Sequence, residues 1–324
     1  MSQDLTSTTV ATYLDKPPCR RCTACGGERA KEYLEAPDRF YAQSQLYKLI
    51  RCPECSLVWL EDPPPPEELG EHYGPDYDAF IRKATEKRPE KQWQGALATV
   101  RKYKEGGTLL DLGCGAGSFL KSMQNPSWTL YGIEMSAESA MLAQSRTGAT
   151  VYTGDILAAP FPAETFDVIT CFHVFEHMYS PTEVMAQVWK WLKPGGVFCI
   201  HVPNIDAAEA HLFRSYWYPL ELPRHLYHFS PRSLRHIGMA LGFRGVNLST
   251  IRVSFIEYST RYFLSHILTK IGISRPALAS APIPGLVWRV LRKGLRLTLL
   301  PLVAAIISMT GEGTIVEAVF GKPD

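Results

Sequence analysis

The chain has 324 residues, of which 46% are hydrophobic and 20% charged, enough for one large core with attachments or for two domains. A formal net charge of +2 gives no global case for nucleic-acid binding, and the polar start Met1–Val10 lacks the apolar core of a signal peptide, so a cytoplasmic protein is expected. Five of the eight cysteines fall between residues 19 and 55, a distribution that suits a reduced protein with a metal site better than a disulfide framework.

At the front, Cys22-Thr23-Ala24-Cys25-Gly26 and Cys52-Pro53-Glu54-Cys55 form two knuckles separated by 26 residues. Two such pairs supply four thiolates to a tetrahedral Zn²⁺ with no open position, and a glycine after a knuckle relieves its tight turn. Tyr33–Ile50, alternating and aromatic, reads as a small β-ribbon between them. Residues 1–62 are therefore expected to form a zinc-ribbon module held largely by its metal. A redox dithiol is the alternative, and Cys19 is a spare thiol. The run Pro63–Pro66 is a stiff spacer. Glu67–Tyr103 then reads as helical, with a charged stretch over Arg82–Lys91, so 63–104 is taken as linker and helical cap. Tyr73 and Tyr77 either close over a ligand or are simply packed.

Leu109–Leu120 joins an apolar strand to a helix through Asp111 and three alternating glycines, Gly113, Gly115 and Gly117. Without Cβ atoms the backbone can turn sharply and approach a ligand closely, and the helix start offers free N–H groups. An adenosine-containing ligand suits this loop. A dinucleotide would set its pyrophosphate there, beside the repelling carboxylate of Asp111. S-adenosylmethionine has no phosphate and carries an ammonium and a sulfonium, which that carboxylate favours. Tyr131–Glu134 reads as a second strand ending in an acid, 23 residues after Asp111, able to accept both ribose hydroxyls. Capping the helix before Ser136 is the other role open to Glu134. Gly154-Asp155-Ile156-Leu157 ends a third strand, where Asp155 could also be an ordinary turn residue. Phe166–Phe172 is apolar almost throughout, as in a central strand buried on both faces. It runs into His173-Val174-Phe175-Glu176-His177. Lys193-Pro194-Gly195-Gly196 is expected to stop a helix and turn into the strand Val197–Val202.

The order Asp111-x-Gly113-x-Gly115-x-Gly117, Glu134, Asp155 and Leu192-Lys-Pro-Gly-Gly196 resembles class I S-adenosylmethionine-dependent methyltransferases over about residues 95–250 and the last dozen. The resemblance implies an α/β fold. Its sheet would be doubly wound, mostly parallel and seven-stranded, with the core at 105–257 and a final strand in 312–324. The zinc ribbon would precede this core, and a helical insertion would precede the last strand. It also implies S-adenosylmethionine as cofactor, held by Asp111, Gly113, Cys114, Gly115, Gly117, Glu134, Met135, Asp155, Ile156 and Phe172. In that family the aspartate matching Asp155 binds the adenine amino group, and the residue matching Ile156 packs on the ring.

Ligands of such sheets bind beyond the carboxyl ends of the strands. The acceptor is thus expected near 172–177, 203–206 and the following segment, where Trp217, Tyr218, Arg224, His225, Tyr227, His228 and Phe229 suit a pocket. Ser230-Pro231 reads as the N-cap and first position of a helix. A hydroxyl acceptor benefits from a histidine base. His225 is the first candidate, with His228 and His173 behind it; a structural hydrogen bond is the alternative role of each. Arg224–Ser230 also resembles part of the zinc-containing sugar C-methyltransferases, whose histidine before x-x-x-F-S matches His225. Their preceding tyrosine and glutamate correspond to Leu222 and Arg224, and their large C-terminal domain is missing. These departures favour O-methylation of a glycan or related hydroxylated acceptor. C- or N-methylation of a soluble small molecule, or cofactor binding without transfer, are the alternatives.

Phe243–Val253 and Gly313–Phe320 read as a closing antiparallel pair around an insertion at 258–311. Tyr258–Thr310 holds seven Lys and Arg and no acid. Arg289, Arg292, Lys293 and Arg296 share a helical face beside the apolar stripe Trp288, Leu291, Leu295, Leu299 and Leu302. That pattern suits an interfacial helix at 283–309 on anionic lipid at the inner face of a membrane, and hence a lipid-linked acceptor. Packing on the domain or in a dimer is the alternative. Leu297–Met309, interrupted by Pro301, is too short to span a bilayer.

Overall fold

The computed structural model describes residues 21–74, 77, 89–270, 294 and 312–324. Among them are two sheets. The larger contains β4 (Gly107–Leu112), β5 (Trp128–Glu134), β6 (Thr150–Thr153), β7 (Phe166–Phe172), β8 (Leu192–Pro203), β10 (Arg244–Ile251) and β11 (Ile315–Gly321). Its order is β10-β11-β8-β7-β4-β5-β6. The pairs from β6 through β8 are parallel, while β11 runs antiparallel to both β8 and β10. The chain order reverses at β4, flanked by β5 and β7. This is the switch point at which such sheets open a crevice beyond their strand ends.

The apolar runs divide as buried parallel strands require. Leu109, Val168, Cys199 and Val319 face one core, and Leu110, Ile169, Ile200 and Phe320 face the other. Helices α2 (Pro89–Tyr103), α3 (Ser118–Met123) and α4 (Ala137–Thr147) contribute Val100, Phe119, Leu120 and Ala143 to the first core. Helices α5 (Pro181–Trp191) and α7 (Pro231–Ala240), with the short α6 (Ala208–Phe213) between them in the chain, contribute Met185 and Trp191 from the one and Leu234 and Ile237 from the other to the second. The cap at Ser230 forms as expected, with Pro231 at the first position and Ser233 completing a reciprocal capping box. The 192–196 segment differs from expectation. It already pairs as strand from Leu192, and Gly195 at φ +68° absorbs the register shift between Phe166↔Leu192 and Val168↔Val197.

The smaller sheet has order β1 (Lys31–Pro37), β2 (Leu46–Arg51), β3 (Val58–Leu60) and β9 (Tyr227–His228). Its fourth strand comes from the acceptor segment, pairing Val58 with His228 and Trp59 with Tyr227. Within Glu67–Tyr103, helix is found at α1 (Pro66–Leu69) and α2, with a 3₁₀ turn at Gly70–His72; most of the charged stretch 82–91 lies outside the described residues. The insertion begins as α8 (Ile256–Lys270), where Tyr258 and Tyr262 pack on Tyr218 and Ser259 accepts its N–H. The proposed interfacial stretch 283–309, apart from Gly294, lies outside the described residues, as does Cys19. Among the described residues no helix is long and apolar enough to cross a membrane.

Candidate active site

At the end of β4 the backbone turns through Gly113 (φ +67°), Gly115 (φ +52°) and Gly117 (φ +78°), all left-handed. Two of these glycines are also sterically required. A Cβ on Gly113 would stand 2.5 Å from Cγ2 of Val174, and one on Gly117 would stand 3.0 Å from the Cα of Ala143. Gly115 is different, because nothing lies within 4 Å of where its Cβ would be. Its N–H donates to Oε2 of Glu134 at 2.8 Å, while Oε1 of Glu134 accepts from the Ser136 N–H at 2.9 Å. Glu134 thus faces the glycine loop and also caps the start of α4. Gly154 N–H bonds the Glu134 carbonyl at 3.0 Å, which brings the end of β6 alongside. There Asp155 is exposed and accepts from Leu157 N–H, capping a 3₁₀ turn that contains Ile156. Met135 is 69% exposed and Leu157 41%, so this rim presents apolar side chains without cover. An open cradle, a carboxylate at its edge and an uncovered apolar rim fit an adenosine whose linker carries no phosphate.

Asp111 lies behind the loop, buried, and accepts the Thr170 hydroxyl at 2.7 Å. Burial, opposed in part by that hydrogen bond and reinforced by Glu134, pushes its pKa up to about 7. Cys114 is buried with its Sγ against Gly132, and burial raises its thiol pKa. Phe172 packs edge-on to Phe119, beside Trp93 and over His201, whose ring centroid is 4.4 Å away.

The segment after β7 rises over Gly113 through Val174. His173 is left-handed (φ +58°), and its side chain is 48% exposed, with Nδ1 3.9 Å from Oε1 of Glu176. Packing around the ring, then His201 and His177, pushes its pKa down to about 4 despite that exposure. His225 and His228 are placed differently. Both are buried, and His225 donates through Nδ1 to the Pro219 carbonyl at 2.9 Å. Burial, then His177 and His228, holds the His225 pKa well below the ordinary value, and burial lowers that of His228 to about 3. The His225 ring meets His177 at 4.5 Å between centroids, and His177 Nδ1 contacts the Tyr73 hydroxyl at 2.8 Å and the Arg224 carbonyl at 3.0 Å.

Not every residue of the expected pocket faces a ligand. Arg224 is buried and paired with Asp38 through Nη1–Oδ2 at 2.9 Å and Nη2–Oδ1 at 3.3 Å, beneath the ring of Tyr77. Trp217 is 1% exposed. Tyr77 donates to Glu221 at 2.9 Å, and so takes the packed role. Glu176 and His177, named in the sequence but given no role there, stand at the centre of this region. Their 3₁₀ turn, Phe175–His177, aims them inward.

In the front module, Cys22 lies 3.4 Å from Cys55 and Cys25 lies 3.4 Å from Cys52, Sγ to Sγ, too far for disulfides. All four sulfurs fall within 4.8 Å of one another. A tetrahedral zinc with sulfurs at about 2.3 Å needs them only slightly farther apart than those pairs. Both knuckles close through a left-handed residue, Gly26 (φ +75°) in the first and Ser56 (φ +68°) in the second.

A family model described as a methyltransferase domain matches residues 84–248. A ubiquinone biosynthesis O-methyltransferase of Pseudomonas fluorescens is 36% identical over 115 residues, covering 33% of this chain and 49% of that protein. The chain thus spans about half the length of the curated relatives it matches first. Among solved structures, a SAM-dependent methyltransferase from Archaeoglobus fulgidus gives a TM-score of 0.51 at 16% identity, covering 76% of this chain and 100% of that one. A chain from the complex of the Haloferax volcanii Trm112 methyltransferase activator with a methyltransferase gives 0.52 at 19% identity, covering 75% and 94%. At these identities the likeness is one of fold.

Proposed function

Because the chain belongs to the methyltransferase-domain family, we propose that it transfers the methyl group of S-adenosylmethionine to a hydroxyl oxygen of a glycan, a lipid-linked intermediate or a related hydroxylated molecule. The observation that carries the donor half is Gly115, whose missing Cβ opens on free space with Glu134 fastened beside it. Glu134 would take the ribose hydroxyls, Asp155 the adenine amino group, and Met135 and Ile156 the two faces of the ring. Asp111 supports the loop from behind. When bound, S-adenosylmethionine supplies an electrophilic methyl on a sulfonium. The protein's own task is to hold the acceptor oxygen in line with it and to exclude water, and positioning of this kind can supply much of the acceleration.

His173 is the base we favour. It is unprotonated at neutral pH, exposed to the cleft, and carried by the same segment that packs on Gly113. His225 and His228 sit deeper. O-methylation is the reaction in the name of the ubiquinone-biosynthesis relatives, and the basic, acid-free composition of 258–310 supports a lipid-linked acceptor. The four cysteines are read as holding structural Zn²⁺. Acceptor-dependent formation of S-adenosylhomocysteine by the purified protein tests transfer. Intact-mass comparison of envelope glycans and lipids from producing and deleted strains would show the product as one added methylene unit. Calorimetry showing preference for NAD over S-adenosylmethionine would overturn the reading. Unchanged liposome flotation on deleting 283–309 would remove the membrane surface from it.

A further inference from the structure

Below His173 the structure gathers side chains that their surroundings leave incomplete. Glu176 is 1% exposed, and among the described residues neither of its carboxylate oxygens has a hydrogen-bond partner. His228, whose ring centroid lies 6.2 Å from that of His225, likewise has both nitrogens buried and unpartnered. Buried polar groups are almost always satisfied, so two such side chains in one place mark a missing partner. Protonating Glu176 does not supply one, since the neutral carboxyl still needs both an acceptor for its hydroxyl and a donor for its carbonyl.

One ligand atom each from Glu176, His177 and His225 lie within 4.8 Å of one another. Backbone carbonyls support both imidazoles. His225 Nδ1 is 2.9 Å from the Pro219 carbonyl, which only accepts, so its hydrogen sits on Nδ1 and its lone pair on Nε2. His177 Nδ1 lies between the Arg224 carbonyl at 3.0 Å and the Tyr73 hydroxyl at 2.8 Å. A backbone carbonyl fixing the tautomer is the usual outer support of a metal-bound imidazole.

We propose that Glu176, His177 and His225 form a second metal site, distinct from the four-cysteine cluster, which binds a divalent first-row cation, zinc in the first instance. Two imidazoles and one carboxylate leave a position open for an oxygen ligand, the arrangement found where a metal meets a substrate or water rather than only a scaffold. His228 is placed as a neighbour of that position. The site's existence does not depend on which acceptor the protein methylates, so it can stand or fall separately from the proposed reaction.

The test is metal content of the full-length protein purified from zinc-supplemented cells, measured by mass spectrometry. Wild type should carry about two zinc ions per chain. Glu176→Gln and His225→Asn should each carry about one with an unchanged far-UV spectrum, while Cys52→Ser/Cys55→Ser should lose the other. Cobalt added to metal-stripped wild type provides a readout free of mutation. The cysteine site should give intense near-ultraviolet thiolate bands. The proposed site should give additional visible bands of nitrogen and oxygen coordination, unaccompanied by thiolate absorption. One zinc per wild-type chain, with cobalt producing thiolate bands only, would overturn the proposal whether or not the variants fold.

Discussion

Gly113→Ala tests whether the glycine loop is shaped by the segment above it. The new methyl would lie 2.5 and 2.8 Å from the two γ-carbons of Val174, at a backbone φ of +67°. The left-handed backbone costs an L-residue about 1–2 kcal/mol. Overpacking against Val174 adds about 1–3 kcal/mol, so the single substitution should destabilise the protein by about 2–5 kcal/mol. Val174→Ala removes both γ-carbons and leaves only the β-carbon, 3.2 Å away, without altering φ. The double variant should therefore be about 1–3 kcal/mol more stable than the sum of the two single costs, keeping the backbone part of about 1–2 kcal/mol and the cost of Val174→Ala itself. Denaturant unfolding of wild type, both single variants and the double variant gives the coupling energy directly. S-adenosylmethionine affinity should follow the same pattern, because His173 and Glu176 move with Val174 if the segment is pushed outward. A coupling energy within about 0.5 kcal/mol of zero would refute steric contact with Val174 as the reason for glycine at this position.

Asp38→Asn leaves the buried Arg224 guanidinium without its counter-charge and should cost about 3–5 kcal/mol, whereas Asp38→Leu/Arg224→Met should cost much less; equal losses in thermal unfolding would contradict the assignment. Asp111 titrates near 7 when folded, against an ordinary carboxyl near 4, so the folded state holds the extra proton and this group's contribution is greatest below about pH 4 and is lost as pH rises to about 7. Relative to Asp111→Asn, wild type should accordingly lose up to about 4 kcal/mol across that window, and parallel stability curves for the two proteins would reject the raised pKa. With zinc on the four cysteines as proposed, chelation should abolish the near-UV signal of Trp59, which is buried in the same cluster as Cys22, Cys52 and Cys55, and a signal that persists after chelation would show that the module folds without a metal.

The sheet and its helices were legible because their signals are local. Alternating core faces follow from continuous apolar runs such as Leu109–Leu112, and Ser230-Pro231 announces its helix in two residues. The segment expected to meet an acceptor depends on contacts that sequence spacing does not encode. Arg224 looks like a pocket residue until Asp38, 186 positions away, neutralises it. Tyr227 and His228 carry no strand signal of their own, and only Val58 and Trp59 make them one. Glu176 and His177 were visible within the His173–His177 segment. Whether they face solvent or each other is decided by the left-handed turn at His173 and the 3₁₀ turn after it.

These long-range contacts tie the two halves of the chemistry together. Val58 lies three residues after Cys55 and pairs with His228, so the strand that follows the second knuckle sets the position of a histidine in the acceptor region. Asp38 fixes Arg224, whose carbonyl orients His177, and Tyr73 contacts the same imidazole from the segment after the proline run. Beneath them Leu49, Val58 and Leu60 share one core with Trp217, Leu220, Leu222 and Leu226. Removing the front module would expose that apolar surface and unpair β9, so the module is built into the core beneath the proposed acceptor region rather than appended to it. The seven-stranded sheet can place a methyl donor in any member of this family. On the proposed reading, what that methyl meets here is set by residues on the two sides of the β3–β9 seam.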